Sequence, residues 1–246
     1  MKKFLSIAVS LLMVASLAAC AGGAKKGDLV MATNAEFPPY EMRDEDNNIV
    51  GIDVEICQAI ADELGRNLVI EDMAFDSIIT SVTTGKADLG AAGITVTEDR
   101  LQNVNFSTPY ATAAQVIIVP ADSDIQTPDD LAGKTVGVQL GTTGDIYADD
   151  IEDATVERYN KGYEAVQALL QGKIDAVMID NQPAKVYVEK NPDLKIVDEA
   201  FTYEEYAIAI NKNDTELLNE VNAAIDKLKA SGKLDEIINK YITADN

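Results

Sequence analysis

The sequence predicts an α/β protein of two similar units, each a mostly parallel sheet flanked by helices, followed by a helical tail. Three observations predict it. Short apolar runs of strand length alternate with stretches of helical spacing. Gly-Lys-x-Asp restarts a strand twice, at Gly85-Lys86-Ala87-Asp88 and at Gly172-Lys173-Ile174-Asp175. The last stretch, Thr215 to Tyr241, has helical spacing broken once, at Ser231-Gly232.

In order, Leu29–Thr33 reads as a strand, then a Pro-containing turn at Phe37-Pro38-Pro39. Asp53–Leu64 reads as a helix, with Val54, Cys57, Ala61 and Leu64 on one face and Gly65 as its stop. Cys57 is therefore expected in the core. Leu68–Asp72 is a strand, Asp76–Thr84 a helix closed by Gly85, and Leu89–Ile94 a strand. Such a βαβαβ run implies parallel pairing with right-handed crossovers. The second unit begins after Tyr110. It reads as an apolar run Val116–Val119, a short helix at Pro128–Gly133 and a strand Thr135–Val138. Gly141-Thr142-Thr143-Gly144 then opens a helix through Tyr147. Thr155–Tyr159 and Ala176–Ile179 are strands around a helix Gly162–Gln171, and Tyr206–Asn211 is strand-like.

The composition narrows the function. At 246 residues with 47% hydrophobic side chains, the chain can bury a core. Its 42 acidic against 20 basic residues give a net charge of −22, which argues against nucleic acid as a partner. No His is present, which removes His-based triads and His-zinc sites. P-loop, Gly-x-Ser-x-Gly and Gly-x-Gly-x-x-Gly motifs are absent too, so no cofactor or metal is expected. Acidic runs such as Asp44-Glu45-Asp46 and Asp149-Asp150 read as solvated faces.

The N-terminus reads as an export signal. Lys2 and Lys3 precede an apolar run from Phe4 to Leu17, too short to span a membrane. Leu17-Ala18-Ala19-Cys20 then resembles a bacterial lipobox, whose Cys becomes the lipidated N-terminus. Residues 1–19 are thus expected to be a signal peptide and 20–27 a tether. Cys20 would then be the lipid anchor on the extracytoplasmic face of the cell membrane.

Two strand ends carry opposite charges. The strand Leu89–Ile94 runs into a polar turn bearing Arg100, and Ala176–Ile179 ends at Asp180. A guanidinium can grip a carboxylate through two parallel hydrogen bonds, and a carboxylate can accept from an ammonium. Together they suit a zwitterion such as a free amino acid. On residues alone, Arg100 could equally be a surface Arg at a helix start, and Asp180 a turn or cap residue before Asn181-Gln182-Pro183. Thr142 and Thr143 sit where a helix begins, as anion donors or as ordinary caps.

Six segments in order resemble the amino-acid-binding lipoproteins of bacterial ABC importers, with the type II periplasmic binding protein fold. They are Thr33 to Tyr40, Gly51 to Val54, Ala92 to Arg100, Asn105 to Tyr110, Gly141 to Gly144 and Asp175 to Asp180. The resemblance covers residues 28–246. It implies lobe 1 at 28–109 and 207–246, lobe 2 at 115–201, and hinge crossings at 110–114 and 202–206. It implies a monomer that captures a free L-amino acid and passes it to a permease. Arg100, Thr95 and Thr143 would hold the α-carboxylate, with Asp180 and the Gly93 backbone at the α-ammonium. Phe37 would cover the ligand side chain. Ile52 stands where many relatives carry an aromatic, so a second ring is not expected. Asn34, Glu36 and Gln139 would read the side chain, with a polar or cationic one preferred and Glu36 as its negative charge or as a solvated lip residue. The alternatives are a neutral-amino-acid binder, a sensor module, or a cyclohexadienyl dehydratase-like enzyme with Glu36 as general acid.

Overall fold

A computed structural model of the chain describes residues 27–242. The signal segment and Cys20 lie outside the described residues. No helix among those described is long and apolar enough to cross a membrane.

The first unit opens with β1 (Asp28–Thr33) and a small hairpin, β2 (Met42–Arg43) and β3 (Ile49–Val50). Helix α1 (Ile52–Leu64) follows, then β4 (Asn67–Asp72), a 3-10 turn at Phe75–Ser77, α2 (Ile78–Thr83) and β5 (Leu89–Gly90). Then come α3 (Glu98–Asn103) and β6 (Val104–Phe106). The chain passes to the second unit in β7 (Ala111–Pro120), with a 3-10 turn at Pro128–Leu131, β8 (Thr135–Gln139), α4 (Thr143–Asp149), β9 (Thr155–Tyr159) and α5 (Gly162–Leu170). The unit continues with β10 (Ala176–Asp180), α6 (Asn181–Lys190), β11 (Leu194–Ile196) and β12 (Thr202–Tyr206). It returns to the first sheet as β13 (Ala209–Asn211) and ends in α7 (Thr215–Ser231) and α8 (Lys233–Tyr241).

Each sheet has a parallel core. In the first, ordered β4-β1-β5-β13-β6, β1 is parallel to β4 and β5, and β13 is antiparallel to β5 and β6. In the second, ordered β11-β7-β10-β8-β9, β8 is parallel to β9 and β10. There β7 is antiparallel to β10, β11 and β12. The two connecting segments are therefore paired strands, with Thr202 opposite Gln115 and Tyr206 opposite Ala111.

Helix α1 forms because Ile52, Ile56, Ile60, Cys57 and Ala61 make one fully buried face. Burying each large aliphatic side chain contributes about 1.5–3 kcal/mol. Gly65, at φ 64°, stops the helix. Gly51 precedes it at φ 140°, and a Cβ there would lie 2.1 Å from the Tyr40 carbonyl oxygen, so only glycine fits. Cys57 is buried, as its helical spacing predicts.

Three expectations need correction. The strand predicted over Leu89–Ile94 ends at Gly90, because Gly93 turns to φ 54° and leaves the sheet. The polar turn at Arg100 is a short helix, α3, capped by the Thr97 hydroxyl, which accepts from the Arg100 amide at 3.2 Å. The segment after Asp180 is helix α6, with Pro183 in its first turn, where no intrahelical N–H bond is lost.

Candidate ligand-binding cleft

A small cavity lies between the carboxyl ends of the two parallel cores. The first unit contributes Asn34, Phe37, Phe75, Ala92, Gly93, Thr95 and Arg100. The second contributes Gln139, Thr142, Thr143 and Asp180.

Arg100 is aimed by main-chain acceptors from both units. Its Nη1 donates to the Thr95 carbonyl at 2.8 Å and its Nη2 to the Gly141 carbonyl at 3.1 Å. Its guanidinium carbon lies 5.5 Å from the centre of the Phe75 ring, within cation–π range. Burial pulls its pKa below the ordinary value, offset by the charges of Glu204 and Asp180. The guanidinium stays charged, with donors left over for an anion.

Asp180 ends β10 and stands at the N-cap of α6, yet it makes no side-chain cap. The third helical position is Pro183, which has no N–H to offer. The carboxylate instead accepts from Gln115 Nε2 at 2.8 Å and from the Tyr206 hydroxyl. Burial, then the neighbouring Glu204 charge, push its pKa up to about 7.

The floor is built around Gly93. Its amide donates to Asp53 Oδ2 at 2.8 Å, so it is already used. A Cβ on Gly93 would sit 3.0 Å from the Phe37 ring, so glycine lets that ring close over the floor. Behind it, burial raises Asp53 to about 6 and lifts Glu41, its hydrogen-bond partner, well above the carboxylate range. Thr143 Oγ1 accepts from Gln115 Nε2 at 3.2 Å. Thr142 caps α4 by accepting from the Asp145 amide at 3.3 Å and donates to the Gln139 carbonyl at 2.8 Å. Gln139 Nε2 bonds Asn34 Oδ1 across the cavity at 2.9 Å.

The comparisons with known proteins agree with this architecture. Residues 29–244 match the model of the bacterial extracellular solute-binding proteins, family 3. The chain belongs to that family. It is 33% identical over 255 residues to the arginine-binding extracellular protein ArtP of Bacillus subtilis, covering all of both chains. A mutant of the arginine-binding protein from T. maritima superposes with a TM-score of 0.85 at 46% identity, over 87% of this chain and 95% of that one. An ancestral arginine-binding protein bound to arginine gives 0.86 at 40% identity, over 89% and 100%. The type II periplasmic binding protein fold is thereby established for this chain.

Within this solute-binding protein, nine of the eleven residues expected in the site line the cavity, and the two exceptions change its reading. Glu36 is off the lining and pairs with Lys161 Nζ at 2.5 Å. Ile52 is fully buried at the start of α1. The second ring that Ile52 lacks comes from Phe75, just past the carboxyl end of β4. Sequence reasoning also missed Gln115 and Glu204, buried on the two connecting strands. The Thr95 hydroxyl donates to Glu204 Oε2 at 2.8 Å.

Proposed function

We propose that this solute-binding protein captures a cationic L-amino acid of the arginine type and hands it to an ABC permease. One observation carries the reading: Arg100 and Asp180, of opposite charge and from opposite units, line one cavity together with two aromatic rings. The guanidinium of Arg100 takes the α-carboxylate with Thr95 and Thr143. Asp180 takes the α-ammonium. Phe37 and Phe75 offer π-faces to a flat cationic side chain. Neither unit alone satisfies both ends of the ligand. Binding therefore favours the closed arrangement over an open one, with residues 110–114 and 202–206 as the hinge.

Glutamine is the second reading, since Asn34 and Gln139 put amides, not a carboxylate, on the cavity wall. An ancestral arginine-binding protein that resembles this chain at 40% identity has also been solved bound to glutamine. Against an enzyme, Glu36, the carboxyl considered as a general acid, is ion-paired and off the cavity lining. We further propose a monomer held at the outer face of the cell membrane through a lipid on Cys20.

A thermal-shift screen of the mature protein against the L-amino acids tests the reading. A thousandfold excess over Kd stabilises the native state by about 4 kcal/mol. Arginine should give the largest shift. A screen in which no amino acid moves the melting temperature would refute capture, and a larger shift with glutamine would select the second reading.

A further inference from the structure

Glu204 is a buried carboxyl that amino-acid capture, as proposed above, leaves without a task. It lies on β12, 6% exposed. Its Oε2 accepts from Thr95 Oγ1 at 2.8 Å and from Gln115 Nε2 at 3.2 Å, while its Oε1 has no hydrogen-bond partner. The same Gln115 nitrogen donates to Asp180 Oδ2 at 2.8 Å and lies 3.2 Å from Thr143 Oγ1. One amide nitrogen thus touches two carboxyls and a hydroxyl, with two hydrogens for three oxygens. Reversing the amide would set Gln115 Oε1 against both carboxylates, so this orientation is fixed by charge.

Two ionised carboxylates on one buried amide repel. A single proton on the pair relieves that repulsion. We propose that Glu204 and Asp180 form a carboxyl pair that shares one proton in the ligand-free closed cleft and releases it to solvent when an α-ammonium takes its place. The inference rests on the amino-acid reading of the cleft.

The geometry supplies an exit. Asp180 faces the ligand cavity, whereas Glu204 lines a separate, open hollow on the far side of Thr95, with Tyr147 and Tyr203. Thr95 lines both spaces, so the pair spans the wall between cavity and solvent. Charge also balances. With one shared proton, the pair cancels Arg100 in the empty cleft. With the proton gone, the two carboxylates cancel Arg100 plus the single net positive charge of arginine. The other ionisable groups facing the pair are Arg100, Tyr206, Tyr147, Tyr40 and Glu41. All but Arg100 are raised by burial, and the upward shift of Asp180 agrees with a shared proton.

Calorimetry of L-arginine binding, in buffers of different ionisation enthalpy, counts the released protons. Wild type should release about half a proton per ligand near pH 7, close to one at pH 6 and almost none above pH 8. Its affinity should fall about tenfold per pH unit below pH 6. In Glu204→Gln the amide oxygen still accepts from Thr95 and Gln115, but Asp180 loses its charged neighbour, so the release should shrink and move to lower pH. Saturable wild-type binding at pH 6 without release would overturn the pair. So would an unchanged count in Glu204→Gln, which would assign the proton to Asp180 alone or to Asp53. A wild-type protein that binds no amino acid would overturn both the pair and the capture reading.

Discussion

Lys161 Nζ reaches the Glu36 carboxylate at 2.5 Å, joining the two units across the mouth of the cleft. The Tyr187 hydroxyl adds a bond to the Glu36 carbonyl at 3.1 Å. Glu36 was expected either to meet a cationic ligand side chain or to be a solvated lip residue, and it is ion-paired with Lys161 instead. Both partners are about one-third exposed, so the pair is worth at most about 1 kcal/mol. Lys161→Ala should therefore weaken arginine and glutamine alike, by no more than about fivefold, and the loss should shrink at high salt. Calorimetry at two ionic strengths checks this. A selective gain or loss for arginine would return Glu36 to the side-chain pocket.

The clamp is expected to behave differently. Removing one partner of a buried charge pair costs about 3–5 kcal/mol. Arg100→Ala and Asp180→Ala should each weaken amino-acid binding at least a hundredfold. Both variants should still fold, because neither residue belongs to the apolar clusters that hold the sheets. Circular dichroism and calorimetry together read the two outcomes. Near-native affinity in either variant would refute its assignment.

The buried acids set the pH dependence of the ligand-free fold. Asp180 sits at about 7 and Asp53 at about 6, both above the unfolded value of about 3.9. The folded state then holds more protons than the unfolded state between these values. Their contribution is fully present below about pH 4 and is lost as pH rises through about 6 and 7. The ligand-free protein should melt several degrees higher at pH 5 than at pH 8, and saturating arginine should flatten that slope. A melting temperature that rises between pH 5 and 8 without ligand would contradict the assignment.

For the anchor, Cys20→Ser should release the protein from the membrane fraction or leave its signal uncut. Normal membrane retention of the processed variant would remove the lipid from the account.

Part of the site is legible in the sequence: Asp180 ends β10, while Arg100 lies in α3, ten residues past the end of β5. Arg100 follows an apolar run in a polar segment, and Asp180 closes one. Phe75 was within reach of the same rule, lying three residues past the end of β4. Gln115 and Glu204 were not. Each lies within or beside apolar strand sequence, and their meeting depends on β7 pairing with β10 and β12, across 65 and 89 residues. The Glu36–Lys161 contact spans 125 residues and needs the two units docked. Helix α6 was hidden by Pro183, which reads as a breaker and is tolerated in a first turn. The sheet of the first unit was read too long at Ile94, because the turn at Gly93 depends on Asp53, forty residues earlier.

The central claim is that one cleft grips both ends of a free amino acid. Calorimetry comparing L-arginine with agmatine, which keeps the guanidinium but lacks the α-carboxylate, tests it most directly. L-arginine should bind one to one, and agmatine at least a hundredfold more weakly, because Arg100 is left without its partner. Equal affinity for the two, or no saturable binding of L-arginine, would contradict it.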